Sequence, residues 1–371
     1  MRERTPLLYT LHSGNLYGTE RMALATAWGL RDEFEPVIFT PGGLAAVEAR
    51  TMGFEVVETT NDRAFAIQLR PYLSRHRRLA FFSTRTMHSL VFAAMNLLYR
   101  RTVAHIHMVH GGTDEALSYG QKRRLNRLPV TLVAVSAFVR ERLLAHGVRD
   151  RQIRVIENFL PAEQVASAPR REPFRQPGIR RVAVISRLDP IKRIDVLLTC
   201  LENRPELNAI AFHLYGTGSD SEALKARAAK GGLNVVFEGF RPDVDEQLAQ
   251  ADLLVHLCPE EPFGLAILEA MACGRAVACS NTSAMPEVAD GAGILFDPHS
   301  VDEIKRAMSD ILLDSELRAR KERLGLQRAA SFSWAKSARA TLDVYREVVE
   351  ERHGARKMAA AASLAVSSRK K

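Results

Sequence analysis

Two α/β domains, each a parallel sheet covered on both faces by helices, are predicted for this chain by three observations. Short apolar strand-like runs alternate with helical patterns along most of its length, the signature of strand–helix–strand units. A polar, proline-rich stretch interrupts that rhythm near the middle. The length, 371 residues, exceeds one ordinary domain and suits two of roughly 150 to 200 residues.

The first domain is expected over residues 1–160. Leu7–Leu11 reads as a buried strand, followed by a glycine-bearing loop from His12 to Gly18 and a helix starting near Thr19–Glu20. That loop lacks GxGxxG spacing, so a dehydrogenase-type dinucleotide fold has little support. Further strands are expected at Val37–Phe39, Glu55–Val57, Leu79–Phe82, Val103–Val109, Thr131–Val135 and Arg154–Ile156, with helices at Leu44–Met52, Ala64–Leu73, Leu90–Leu98 and Ala137–His146. Residues 161–178, with Pro161, Pro169, Pro173 and Pro177, read as a linker. Alternation resumes in a second domain over residues 179–330, with strands at Arg181–Ile185, Ala209–Tyr215, Val235–Glu238, Leu253–Leu257, Ala276–Cys279 and Gly293–Leu295. After Ser300 the pattern is helical, including Val301–Leu313. A C-terminal helix over residues 331–350 could cross back to the first domain, and residues 351–371 form a flexible basic tail.

Composition bounds the function. With 46% hydrophobic and 26% charged residues, and no apolar run of about 18 residues, the chain reads as an ordinary cytoplasmic protein without a signal-peptide core. Cys200, Cys258, Cys273 and Cys279 stand at no zinc-like spacing, so buried free thiols are expected and no metal site is implied. Charge is uneven: residues 1–170 hold 23 Lys+Arg against 15 Asp+Glu, and residues 171–350 hold 23 against 27. Clusters at Arg75, Arg77 and Arg78, at Arg100 and Arg101, and at Lys122, Arg123, Arg124 and Arg127 fit either a solvated face or contact with phosphates of lipid headgroups at a peripheral membrane site, of nucleic acid or of an anionic acceptor. Nucleic acid is not expected, because no recognition module accompanies the charge.

The stretch from Glu260 to Gly274 carries the most chemistry. Its helix, with Pro262 in the first turn and Gly274 at the C-terminal cap, is apolar on every side except at Glu269. A carboxylate among Leu265, Ile267, Leu268 and Met271 needs a donor, which favours a ligand role for Glu269. Glu261 stands just outside the helix, where an acidic residue offsets the dipole or helps form a polar site. Arg187 and Lys192, in the segment Ser186–Arg193 that follows the first strand of the second domain and is expected to open its first helix, form either a diphosphate clamp or two surface cations. Gly216 and Gly218 mark a close backbone approach, a candidate nucleotide pocket. In the first domain His110, before Gly111 and Gly112, is either structural or a partner of a sugar hydroxyl. No serine or cysteine nucleophile with a local base is evident. Asp220–Glu222 and Asp243–Asp245 stand where helices begin, so dipole compensation explains them without a metal.

Taken together, these motifs resemble the retaining, nucleotide-sugar-dependent glycosyltransferases of family 4, with GT-B architecture: two Rossmann-like domains facing a central cleft. Glu261 and Glu269, with Pro262–Phe263–Gly264 between them, resemble the family's paired-glutamate motif. Ser186–Lys192, Val133–Ser136, Arg154–Asn158 and Phe332–Trp334 follow the family order. The resemblance implies catalytic roles for His110 and Glu261, diphosphate binding by Arg187, Lys192 and Gly18, donor-sugar binding by Glu261, Phe263 and Gly264, and ribose binding by Glu269. It implies a nucleotide-diphosphate sugar as donor, no cofactor, and a carbohydrate, lipid-linked or small-molecule acceptor in polysaccharide, glycolipid or natural-product glycosylation. A nucleotide-sugar 2-epimerase of the same architecture, or a non-catalytic nucleotide-sugar-binding protein, are the alternatives. The sequence departs from the family at Leu16–Tyr17–Gly18, where a double glycine is common, at Glu157–Asn158–Phe159, which lacks a glycine, and at Ser283–Ala284, in place of a frequent glycine pair.

Overall fold

The computed structural model describes residues 4–350 except 113, 161–180, 204–206, 208, 209 and 242; the expected linker and basic tail lie outside the described residues. The chain divides into two compact units. One comprises residues up to 135, 139–157 and those from 334 onward; the other comprises 136–138 and 158–333.

In the first unit, strands β1 (Thr5–Thr10), β2 (Phe34–Thr40), β3 (Glu55–Glu58), β4 (Arg78–Ser83), β5 (Thr102–Val109), β6 (Thr131–Ala134) and β7 (Ile153–Val155) alternate with helices. The helices are α1 (Gly18–Gly29), α2 (Gly43–Thr51), α3 (Asp62–Arg75), α4 (Thr86–Tyr99), α5 (Glu115–Ser118) and α6 (Ala137–Ala145). All strands run parallel in the order β3-β2-β1-β4-β5-β6-β7. Side chains alternate across the pleat and explain the two cores. Leu7, Tyr9 and Ile38 pack on one face with Ala23 and Leu24 of α1, while Leu8, Val37 and Phe39 pack on the other with Phe65, Leu69 and Phe92. Thr10 is level with Phe39 and Ser83, so the loops after β1, β2 and β4 gather at one edge. A helix over residues 334–350 closes the first face. Its Val344 and Val348 join that core, and Tyr345 meets Phe34 edge-on at 4.7 Å.

The second unit has β8 (Arg181–Ile185), β9 (Ala211–Tyr215), β10 (Val235–Gly239), β11 (Leu253–His256), β12 (Ala276–Ser280) and β13 (Ile294–Phe296), parallel in the order β10-β9-β8-β11-β12-β13. Its helices are α7 (Ile194–Glu202), α8 (Ser221–Lys230), α9 (Val244–Ala249), α10 (Leu265–Ala272), α11 (Met285–Ala289), α12 (Val301–Leu313) and α13 (Ser315–Ala330). Strand order reverses between β8 and β11, so the loops leaving their carboxyl ends diverge and open a crevice there. Among the described residues no helix is long and apolar enough to cross a membrane, and all four cysteines are buried free thiols.

Two local expectations are corrected. The Glu260–Gly274 helix begins at Leu265, leaving Pro262 outside, because Gly264 adopts a left-handed conformation (φ +92°) that α-helix cannot continue through. Pro190–Lys192 forms a single 3₁₀ turn, and α7 starts at Ile194 only after Arg193 turns left-handed (φ +56°). Gly274, by contrast, has the left-handed C-cap geometry expected of it (φ +68°).

Candidate active site

In the second unit the β8 and β11 ends bring together three groups. Lys192 Nζ donates to Glu261 Oε2 at 2.6 Å, and His256 Nε2 lies 3.3 Å from the same oxygen. Their side chains are 12%, 18% and 5% exposed for Lys192, Glu261 and His256, so the charges interact in a poorly solvated place. Burial alone would raise the Glu261 carboxyl; the Lys192 ammonium and the His256 ring overcome it and hold the group well below the usual carboxylate range. Burial alone would lower Lys192, and Glu261 overcomes that too. Both groups are ionised. The loop is fixed from behind, since the Glu261 N–H donates to Ser283 Oγ at 3.0 Å and its carbonyl accepts from Ala284 N–H at 3.2 Å. Ser186 and Cys258 line the same pocket as Lys192 and His256, with burial holding the Cys258 thiol up as the neutral form.

Arg187 stays half exposed and pairs with Asp189 (Nη1 to Oδ2, 2.7 Å). Both cations expected to meet phosphate therefore carry carboxylate partners in this structure. Gly216 and Gly218 make their close approach within the unit. A Cβ at Gly216 (φ +137°) would fall 1.9 Å from the Ser186 carbonyl oxygen, and one at Gly218 would meet the Leu188 carbonyl at 2.4 Å. Their amides are engaged, Gly216 N–H with Gly239 O and Gly218 N–H with Ser221 Oγ. Asp243, expected to offset a helix dipole, has its carboxylate taken by Arg241 and Gln247.

Gly264 is tight as well: a Cβ there would come within 2.3 Å of Met285 Cε. The preceding Phe263 side chain is buried against Phe332, edge-on at 5.7 Å, leaving the backbone of Phe263–Gly264 at the mouth of α10, whose first turn no side chain caps. Glu269 is buried on α10 at 6% exposed and is engaged by its surroundings. It shares a neighbourhood with buried Arg275, since both act on the Cys273 thiol.

In the first unit His110 follows β5, with Gly111 left-handed (φ +75°) behind it. Its Nε2 is enclosed and has no hydrogen-bond partner among the described residues. Burial first, then nearby His12, push its pKa down to about 3, so the ring is neutral at physiological pH. His12 Nδ1 lies 3.1 Å from Glu20 Oε1, to which Ser13 Oγ also donates at 2.9 Å. Gly18 opens α1 and Tyr17 supplies no side-chain cap, so the first amides of that 12-residue helix face the same loop. His12, Glu20 and His256 were given no role from sequence, and Ser283 was marked only as a departure from the family's glycine pair. His256 sits inside an apolar strand with nothing to mark it, whereas Glu20, an acidic residue after the first glycine loop, carried a readable signal.

Comparison with known proteins agrees with this layout. The family description "Glycosyl transferases group 1" matches residues 170–326, and "Glycosyltransferase Family 4" matches residues 16–164. The chain belongs to glycosyltransferase family 4. The family 4 assignment is joined by curated relatives. O-antigen chain mannosyltransferase B of Escherichia coli is 26% identical over 228 residues, 58% of this chain and 60% of that protein. A D-inositol 3-phosphate glycosyltransferase of Streptomyces avermitilis is 35% identical over 207 residues, 51% of this chain and 44% of that protein. The matched segments thus span about half of these relatives' length. Among solved structures, Anabaena HepE in complex with UDP-glucose superposes with a TM-score of 0.76 at 20% identity, covering 95% of this chain and 100% of that one, which establishes the GT-B fold. WaaG, a glycosyltransferase involved in lipopolysaccharide biosynthesis, gives 0.70 at 16% identity over 91% and 99% of the two chains. Among the described residues, no group of three or more His, Cys, Asp or Glu side chains is arranged to hold a metal ion.

Proposed function

We propose that this family 4 chain is a retaining glycosyltransferase that moves a sugar from a nucleotide-diphosphate sugar to a carbohydrate, lipid-linked or small-molecule acceptor. The observation that carries the reading is the buried Lys192–Glu261–His256 cluster at the β8/β11 switch point, beside the uncapped start of α10. A diphosphate competes for the two cations. When it enters, Lys192 and Arg187 exchange part of their carboxylate pairing for phosphate oxygens, and Glu261 is left to accept hydrogen bonds from donor-sugar hydroxyls. Glu269 takes the ribose hydroxyls, and the Phe263–Gly264 backbone borders the sugar. Neutral His110 serves the sugar as a hydrogen-bonding group, since a ring with a pKa of about 3 holds no charge near pH 7.

In the transfer step the bond between the sugar C1 and the β-phosphate oxygen breaks as the acceptor oxygen bonds to the same face of C1. The acceptor proton passes to the departing phosphate oxygen, and the nucleoside diphosphate leaves. Arg187 and Lys192 stabilise the charge that develops on it, which is worth most in a site that excludes water. The proposed reaction uses no resident cofactor.

The test is a thermal-shift and donor-hydrolysis screen with UDP-, GDP- and ADP-sugars, in EDTA, on the native chain and on Glu269→Ala. One donor should raise the melting temperature of the native chain and release its nucleotide slowly, with the effect lost in the variant. The anomeric configuration of the product, read by NMR, should match that of the donor. Stabilisation without hydrolysis or transfer would identify a binding protein instead, and an altered sugar without acceptor an epimerase.

A further inference from the structure

From Arg63 to Thr113 the chain carries eight arginines and neither aspartate nor glutamate. This stretch contains all of α3 but its first residue, Asp62, which pairs with Arg85 at 3.0 Å, together with β4, α4 and β5. The two helices lie side by side on one face of the first sheet, anchored by Phe65, Leu69, Leu73 and Phe92, with their other sides turned outward. None of the 14 residues of α4 is charged. Its exposed positions, Met87, Ala94, Leu97 and Leu98, fall on one helical face, and the two leucines of the last turn are 76% and 81% exposed. On α3, exposed Ile67 lies between exposed Arg63 and Arg70.

The arginines gather where α4 ends. Arg78 is level with Thr102, so Arg77, Arg78, Arg100 and Arg101 meet at the amino edge of β4 and β5. Arg101 also bonds the Leu73 and Ser74 carbonyls at 2.6 and 3.2 Å, which brings the end of α3, with Arg75, to the same edge. Two adjacent leucines held in water beside a cationic rim form an apolar wedge with an anion-seeking collar.

We propose that this face docks on an anionic lipid bilayer, with Leu97 and Leu98 entering the boundary of the acyl chains and Arg75, Arg77, Arg78 and Arg100 meeting headgroup phosphates. Charge selects this occupant. A second copy would bring the same arginines against one another, and a nucleic acid backbone would leave the leucines without a partner. Lipid docking here is independent of the reaction the chain catalyses, so its failure and that of the transferase reading are distinguishable.

Sedimentation with vesicles of phosphatidylcholine, with and without 30% phosphatidylglycerol by design, tests it on the full chain, alongside Leu97→Ser/Leu98→Ser, Arg77→Glu/Arg100→Glu and Arg369→Ser/Lys370→Ser/Lys371→Ser. Binding should require the anionic lipid. It should fall about tenfold or more in the leucine variant and in the arginine variant, and weaken with salt, while the tail variant binds like the native chain. All substitutions lie on exposed or tail positions, and circular dichroism checks that each variant is folded. Failure to bind anionic vesicles overturns the proposal. So does binding unchanged by the leucine substitutions, binding lost in the tail variant, or a dimer by light scattering that the leucine substitutions dissociate.

Discussion

At the scale of single residues, the Glu261 carboxylate is organised by groups far away in sequence. Lys192 lies 69 positions earlier and forms its main ion pair. Removing either partner strands a mostly buried charge, which costs about 3 kcal/mol or more, whereas removing both does not. Glu261→Gln and Lys192→Met should therefore each lower the unfolding free energy by roughly that amount, and the double variant should recover part of the loss; simple additivity in denaturant titrations would show that the two side chains are not coupled. Gly216→Ala is a separate case. Its Cβ would sit inside the Ser186 carbonyl contact at a φ that disfavours any side chain, so a loss of about 3 kcal/mol or more is expected, and a native-like melt would contradict it. Arg187, Lys192 and Glu261 stood out as candidates because charged residues follow strand ends, and Glu269 because it is the lone carboxylate of an apolar helix. That the cations already pair with Glu261 and Asp189 was not legible, because pairing depends on side-chain direction rather than spacing. The glycine pair shows the same limit: sequence marks a close backbone approach but does not say to what.

At the scale of elements, β5 and α4 carry an acid-sensitive device. Alternation puts His105 and His107 on the α4 side of β5, where Ser89 Oγ lies 3.0 Å from His105 Nε2 and 2.9 Å from His107 Nδ1. Burial, the first cause in each case, lowers the pKa of His107 well below its ordinary value and those of His88 and His110 to about 3. In the unfolded chain these histidines titrate near 6.5, so below that pH the unfolded state binds more protons and the folded state loses stability. Each contributes about 1.4 kcal/mol per pH unit once the pH lies below 6.5, until its folded pKa is reached. The melting temperature should thus fall steeply between pH 6.5 and 5, and His88→Gln should shallow the slope by about a third; a flat profile over this window would show that the rings are already solvated. The element pattern itself was largely readable, because most strands are short apolar runs that alternate with helical patterns. Helix starts were less so. Pro262 looked helical, and only the left-handed geometry at Gly264, invisible in an apolar sequence, moved the start to Leu265.

At the scale of the whole molecule, two parallel-sheet α/β units were expected from the alternation of patterns, and the strand orders that place each site follow from connections too long-range for periodicity to report. The path of the chain matters most at its end. The helix over residues 334–350 belongs to the first unit although the whole second unit precedes it in sequence. Trp334 packs its ring against Gly29, where a Cβ would come within 3.2 Å of it; Tyr345 meets Phe34; and Arg154 reaches Glu347. Val344 and Val348 complete the core that Leu7, Tyr9 and Leu24 begin. Each such apolar side chain contributes roughly 1.5–3 kcal/mol of burial, so three or four together rival the ~5–15 kcal/mol by which a domain is stable. A chain stopped at Ser333 should therefore leave the first unit with an open apolar face. Calorimetry is expected to show one transition lost or displaced strongly downward, with increased binding of a hydrophobic dye, while the second unit's sheet keeps its own transition. The substitution Tyr345→Ala should give a graded version of the same effect, about 3 kcal/mol in the first transition alone. Two unchanged transitions in the shortened chain would mean that the helix rests on the first unit without completing its core.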